Sequence, residues 1–423
     1  MILKLLIFIV LFTTNCFANS LDIDGNVNFS FTTPRQVYLS QKPTIGFDGY
    51  TWIRPGFNFN NTFLTKTTLN FKIETNYNTS NTLAPILDEA FVAIKSDFGK
   101  LEFGNFLAVN QQLKQNPAKI ARGAGGINGK YLEYINLPQL KNNNINLKLP
   151  NFIVLSQSPI GHNGSRNFYQ TTQRGLKDNS FDGSEDATKI SYFLPKYQNH
   201  QFAMSYTFNS QKNGFTKIAN KNHNSLTLRQ IISIAWLYEQ DFDNLNLKLS
   251  TTTEQGKINK KQANLHNLNS YDFGAIVSYF GIKLATSYGF WGKSLQAKNG
   301  IYACDYQNNL SLAQQNCANT YPAKFGNSYY HSYGIAYGLG PIGASITNFN
   351  SNLQNNRYTA TSLGLDYKIK KNLLSYIEFT NFKFKINQPK ASDIVNQNNI
   401  SNSLRQISNN QGLVIITGIY FNF

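Results

Sequence analysis

The stretch TLNFKIETNY sets Leu69, Phe71, Ile73 and Tyr77 on one parity and Thr68, Asn70, Lys72, Glu74 and Asn76 on the other. A period of two marks a strand with one apolar and one wet face. The closing segment repeats the pattern. Leu413, Ile415, Ile419, Phe421 and Phe423 share a face, opposite Gly412, Gly418 and Asn422, with Val414 and Ile416 out of step. Phe202, Met204, Tyr206 and Phe208 likewise alternate with small residues.

This periodicity predicts strands over residues 21–31, 50–59, 64–77, 89–95, 100–106, 187–194, 202–208 and 231–238. Further strands follow over 245–252, 271–279, 282–291, 330–339, 342–350, 358–369 and 373–384, and the closing segment makes sixteen. The first sets Asp22, Asp24, Asn26 and Asn28 on its wet face. Turns of a few residues alternate with connections that are mostly longer and rich in Asn, Gln, Ser and Lys. Regularity lapses over residues 107–186. Segments 131–137 and 145–155 within that lapse would form an extra hairpin, and so eighteen strands, if they joined the wall.

Composition turns this pattern into an environment. Aromatic residues are 14% and charged residues only 14%, against about 25% charged in an ordinary soluble domain. Beyond the N-terminal segment no apolar run approaches the roughly 20 residues of a membrane helix. A chain with so much outward apolar surface would then cross a membrane as strands. In lipid every strand edge must be paired, which requires a closed antiparallel β-barrel. No shift in composition marks a domain boundary, so residues 19–423 are expected to form one barrel. The first twenty residues, MILKLLIFIVLFTTNCFANS, read as a secretory signal peptide over 1–18, cut after Ala18. Asn15 is not the small residue that lipidation of Cys16 would require.

EAFVAIKSDFGKLEFGNF resembles the hairpin that precedes the constriction loop of Gram-negative general porins, and KISYFLPKYQNHQFAMSYTF resembles their next hairpin. ARGAGGING is similar to a glycine-rich stretch of alphaproteobacterial-type members. The likeness covers nearly the whole chain. It implies a sixteen-stranded outer-membrane barrel, usually a homotrimer, surrounded by outer-membrane lipid, whose long third loop (107–186) folds inward to narrow the pore. It also implies passive diffusion of small hydrophilic solutes and ions. The signature Ile419, Phe421 and Phe423 would be read by the barrel-assembly machinery. The third loop, about eighty residues if all of 107–186 is loop, is far longer than usual.

Charge adds a direction. Lys and Arg number 39 against 22 acids, a net +17, and +16 without Lys4 of the signal segment. Such a balance suits nucleic acid, anionic lipid or a path for anions. Neither a nucleic-acid module nor a basic stripe is present, so nucleic acid is not expected as a partner. From Lys114 to Lys177 the third loop carries nine cations, and before Asp178 its one acid is Glu133. Folded into a wet lumen, such cations favour anions; as solvated loop charges they would do nothing specific. Lys114, Lys119 and Arg122 are the constriction candidates, the last two flanking GAGG. On the wall, Lys72 and Glu74 share a wet face, Lys95 shares that of Glu89, and Arg54 joins them despite Trp52 on the same parity. Cross-strand pairing is an equal alternative for these wall residues.

Cys304 and Cys317 share one long polar loop, and an oxidising compartment favours a disulfide between them over two free thiols. No neighbouring His completes a zinc site. GLGPIG, Gly338 to Gly343, matches the dinucleotide-binding fingerprint letter for letter, but Pro341 and the flanking strands make it a hairpin turn, with no helix to receive a pyrophosphate. DNSFDGSED, residues 178–186, lacks EF-hand spacing and reads as a solvated acidic loop. The five His show no metal or triad spacing. The expectation is a channel with no reaction and no cofactor, anions preferred. The alternative is a surface adhesin or binding protein built on the same barrel.

Overall fold

The computed structural model describes residues 20–37, 42–58, 66–78, 84–135, 187–209, 228–258, 266–294, 326–353, 356–385 and 410–423. Sixteen antiparallel strands close into one barrel, each paired to its neighbours in sequence. They are β1 (Ser20–Gln36), β2 (Thr44–Asn58), β3 (Lys66–Asn78), β4 (Ala84–Ser96), β5 (Gly99–Asn105) and β6 (Thr188–Phe193). β7 (His200–Asn209), β8 (Leu228–Phe242), β9 (Leu245–Ile258), β10 (Leu268–Tyr279) and β11 (Ile282–Gly292) continue the wall. β12 (Ser328–Leu339), β13 (Ile342–Leu353), β14 (Asn356–Lys370), β15 (Leu373–Lys385) and β16 (Asn410–Asn422) complete it. Every predicted strand is present, and most run a few residues further than the periodicity alone indicated.

Alternation decides which side faces out. On β1, Leu21, Ile23, Phe29 and Phe31 are exposed outward, while Asn28, Ser30 and Thr32 are buried inward. On β7, Phe202, Met204 and Phe208 face out and Ala203, Ser205 and Thr207 face in. The barrel therefore wears an apolar exterior over a small and polar inner wall, the arrangement a bilayer-spanning barrel needs. Near the tight-turn end the exterior is rich in aromatics: Tyr197, Tyr279, Phe280, Tyr337 and Tyr367 are all exposed. There His200 stacks on Trp236 at 5.9 Å between ring centroids.

The turns are short. β10 passes to β11 through Phe280 and Gly281, whose φ values of 43° and 82° lie in the left-handed region. Two successive positive φ angles give the hairpin twist that matches its strands, and glycine adopts one at little cost. Residues 338–343 form the β12–β13 hairpin turn.

The barrel closes where β16 pairs with β1, with Phe29 opposite Ile419 and Val27 opposite Phe421. Ile419, Phe421 and Phe423 all point outward. Val414 and Ile416, out of step in the sequence, are 1% and 0% exposed and face inward into a core formed with the third loop.

That core replaces the extra hairpin considered for residues 131–137. Lys130–Glu133 is a 3-10 turn inside the barrel, β5 pairs directly with β6, and closure is complete at sixteen strands. Tyr131, Tyr134 and Ile135 are apolar because they pack against Phe349, Tyr358, Phe382 and Ile416 from within, not because they form a wall strand. Residues 1–18, 145–155 and 178–186, and Cys304 and Cys317, lie outside the described residues.

Candidate functional site: the third loop against the inner wall

After β5 the chain turns into the lumen. Residues 106–135 then follow the inner wall past most of the other strands. The loop carries little regular structure, a short helix α1 (Val109–Leu113) and 3-10 turns at Pro117–Ile120, Gly126–Asn128 and Lys130–Glu133. Its buried backbone groups must find partners elsewhere, and inward wall side chains supply them. Val109 N–H donates to Ser205 Oγ on β7 (2.9 Å) and Gln115 N–H to Ser250 Oγ on β9 (2.8 Å). Arg122 N–H donates to Ser345 Oγ on β13 (2.8 Å). The small inner-wall residues are thus a track of hydrogen-bond partners. Two glycines let the backbone approach: a Cβ at Gly274 or Gly364 would strike the carbonyl oxygen of Gln115 or Arg122.

The glycine-rich stretch has its own partner. Gly123, Gly125 and Gly126 have φ of 79°, 103° and 62°, and this left-handed path aims the N–H groups of Ala124 and Gly126 at Glu378 Oε2 on β15 (2.9 and 2.8 Å). Backbone N–H groups converging on a carboxylate form an anion nest. Further along, Tyr131 and Tyr358 hydroxyls meet at 2.9 Å. Lys130 Nζ reaches Asp48 Oδ2 (2.5 Å) and donates to Ser30 Oγ (3.1 Å).

The candidate cations divide by environment. Lys114 lies between loop and wall, 3% exposed, with Nζ 2.7 Å from Asp272 Oδ2 on β10 and 5.0 Å above the Tyr330 ring. Burial pulls its ammonium below the ordinary lysine value, opposed by the Asp272 carboxylate. Lys119 instead opens onto the lumen, with Nζ 3.5 Å from the Gln112 carbonyl. Enclosure by the surrounding walls, with Lys248 and Lys114 adding repulsion, lowers its pKa to about 8. Arg122 stretches along the wall with about a third of its side chain exposed and Nη1 3.7 Å from Asp366 Oδ2.

The wall candidates sit on β2, β3 and β4. Arg54 is half-buried, pairs with Asp24 and stacks beside Trp52. Lys72 pairs with Glu89 (3.6 Å) and lies over the Tyr50 ring. Lys95 is exposed toward the lumen, opposite Lys66 and Lys100 in the ladder. Glu74 on β3 stands opposite Tyr50 on β2; its side chain lies outside the described part of the structure. The candidates therefore do not form one cluster. Lys119 and Arg122 stand on the loop, and Arg54, Lys72 and Lys95 on the wall, around the same lumen. Sequence reasoning missed Asp272, Glu378 and Asp366, the wall acids that hold the loop. Among the described residues, no group of three or more His, Cys, Asp and Glu side chains gathers as a metal site would need.

A family model described as Gram-negative porin matches residues 7–387. The chain belongs to the Gram-negative porin family. The family and the barrel fold together make it an outer-membrane channel protein, and they point away from catalysis. Among curated relatives, an uncharacterised protein of Rickettsia bellii is 28% identical over 361 residues, covering 74% of this chain and 71% of the relative. One from Rickettsia typhi is 26% identical over 350 residues, covering 70% and 69%. Among solved structures, OmpF of Salmonella typhi in complex with daunomycin matches at TM-score 0.55, 12% identity, covering 96% of this chain and 98% of that one. An anion-selective porin from Comamonas acidovorans matches at 0.50 and 11%, covering 96% and 99%. At such identities the likeness is one of fold. In this porin, as the wall bonds show, the described part of the third loop, residues 106–135, lies inside the barrel.

Proposed function

We propose that this porin passes small hydrophilic solutes by diffusion through its lumen, with anions preferred, and that Lys119 and Arg122 on the third loop set the preference. Arg54, Lys72 and Lys95 supply further positive charge from the wall. Lys114 serves instead as a loop anchor. The observation that carries the reading is the contrast on the loop. Its acids of attachment, Glu378 and Asp272, are buried and occupied by loop groups, while Lys119 on the same loop is left exposed. Negative charge is spent on holding the loop, and positive charge is left where ions pass. In a narrow site with little bulk water, such charge is screened less than on an open surface.

The same fold serves in the Comamonas acidovorans porin named as anion-selective, but the reading for this chain rests on its own cations. The remaining expectations join the proposal: a homotrimer in the outer membrane, export by a cleaved signal peptide, insertion by the barrel-assembly machinery reading Ile419, Phe421 and Phe423, and no cofactor. Conductance in a planar bilayer tests the channel itself. Discrete openings are expected from purified folded protein, and a silent membrane would favour a closed barrel that only binds at its surface.

A further inference from the structure

The anchors of the third loop fall on Ser205 of β7, Ser250 of β9, Ser345 of β13, Glu378 of β15 and Ser30 of β1. Between this track and the root of the loop lies a stretch of inner wall of another composition, made by β2, β3 and β4. Residues paired across a ladder point to the same side, and so does every second residue along a strand. Asn28 of β1 points inward and stands opposite Asp48, so Tyr50, Trp52 and Arg54 of β2 point inward as well. Phe91 of β4 shares that side, because it stands opposite Asn70, two residues from the Lys72 that pairs with Trp52 in the ladder. Where the anchor track offers small polar residues, this wall offers rings. Tyr50, Trp52 and Phe91 are half-buried, so part of each ring surface stays open.

Trp52 is the centre of this patch. Across the ladder it has Asp24 on one side and Lys72 on the other, and along β2 its inward neighbours are Tyr50 and Arg54. The Arg54 guanidinium lies 5.5 Å from the indole centroid, and Phe91 meets the indole edge to face at 6.2 Å. Lys72 Nζ lies 5.6 Å from the Tyr50 ring centroid. Both cations are ion-paired, Arg54 with Asp24 and Lys72 with Glu89. Half of the Asp24 side chain and about a third of the Arg54 side chain remain exposed. The patch therefore sets apolar ring faces beside N–H donors and carboxylate acceptors, the mixture that orients a small solute.

That mixture selects by chemistry. An anion bound to Arg54 would have to compete with Asp24, and a cation bound to Asp24 would have to compete with Arg54. A hydroxyl both donates and accepts, so a solute carrying several can bond to guanidinium and carboxylate together and leave the pair intact. The C–H face of a pyranose ring is flat and apolar enough to rest on an aromatic side chain, whose large surface gains from being covered. We infer that the wall around Trp52 is a binding subsite for a neutral sugar, with Trp52 and Tyr50 under its ring and Arg54, Asp24 and Lys72 bonding to its hydroxyls. The inference deepens the reading of a diffusion channel and rests on it for the subsite's role, whereas binding itself is measured without current.

Folded protein in amine-oxide micelles, which carry no sugar headgroup, is titrated with a linear glucose trisaccharide, and binding is followed by isothermal calorimetry. Wild type is expected to bind it saturably. Trp52→Ala should bind about tenfold more weakly, the worth of a stacked ring, and Trp52→Phe should keep part of the affinity. Trp236→Phe, on the barrel exterior beside His200, should bind as wild type does. Heat-modifiable migration on gels verifies that each variant folds. No saturable binding by wild type, or equal binding by wild type and Trp52→Ala, would overturn the subsite, as would an equal loss in Trp236→Phe. Benzoate that binds more tightly than the trisaccharide, and loses its binding in Trp52→Ala, would overturn the sugar as occupant. A barrel that binds sugar as expected but does not conduct would count against the channel reading and support this one. A barrel that conducts but binds no sugar would do the reverse.

Discussion

Lys114 of the third loop and Asp272 of β10 meet at 2.7 Å, each less than a tenth exposed, with Tyr330 hydroxyl donating to the same carboxylate oxygen. Removing one member of a buried pair leaves the other uncompensated, at about 3–5 kcal/mol, whereas removing both is far milder. Lys114→Met and Asp272→Asn should each lower barrel stability and give a larger, noisier single-channel conductance as the loop leaves the wall. The double variant should lie closer to wild type than either single. Two singles whose effects simply add would show that the pair does not hold the loop.

Glu378 is the second anchor. Glu378→Ala leaves the N–H groups of Ala124 and Gly126 without their acceptor, and charge-assisted bonds of this kind are worth about 1.5–3 kcal/mol each. Gly126→Ala attacks the same nest from the other side. Its φ is 62°, and a Cβ there would come within 2.7 Å of Ala121 Cβ and 2.8 Å of Thr347 Oγ1. Both variants should make the loop protease-sensitive in folded protein while the barrel persists. Protection equal to wild type would remove the nest from the account.

At the seam, Phe423 and Gly25 exchange both backbone hydrogen bonds at 3.1 Å, and a Cβ on Gly25 would sit 2.8 Å from Phe423 Cζ. The ring packs over the bare glycine and covers the junction of β1 and β16. Deleting Phe423 removes the ring and both bonds, so the amount of folded protein in the outer membrane should fall severalfold, with Phe423→Ala intermediate. Undiminished levels of the shortened chain would contradict this role.

Much of this architecture is legible in the alternation of the chain because lipid outside and water inside impose opposite demands on successive residues. Where the pattern failed, a third environment was present. Val414 and Ile416 face inward against Tyr134 and Ile135 of the loop, so neither lipid nor water chose them. Tyr131 looked like a wall residue for the same reason. The loop cations were visible as a class, but not their division into anchor and lumen groups. Lys114 is made an anchor by Asp272 on a distant strand, whereas Arg122 stands 3.7 Å from Asp366 with about a third of its side chain still exposed, and only closure of the barrel creates that difference. The glycines at 123, 125 and 126 were legible as a tight fold, whereas Glu378 as the group they enclose was not.

If Lys119 sets the proposed selectivity, that selectivity should depend on pH with a definite sign. Its pKa is lowered to about 8 by burial and by Lys248 and Lys114, so the ammonium is charged at pH 6–7 and largely neutral by pH 9. Anion preference should therefore weaken as pH rises through about 8. Lys119→Met should start from a weaker preference and show no such step. A wild-type profile flat between pH 6 and 9 would place this lysine away from the ion path.

The reversal potential under a salt gradient tests the central claim most directly. Without Lys4 the chain carries +16 (17 − 1), and Lys119→Glu/Arg122→Glu lowers it by four to +12, so the barrel stays basic while the loop changes sign. Wild type should be anion-selective, and the double variant should shift toward cation selectivity, with the shift shrinking at high salt as screening lengths shorten. A cation-selective wild type, or a double variant with an unmoved reversal potential, would contradict the assignment of Lys119 and Arg122 to the path.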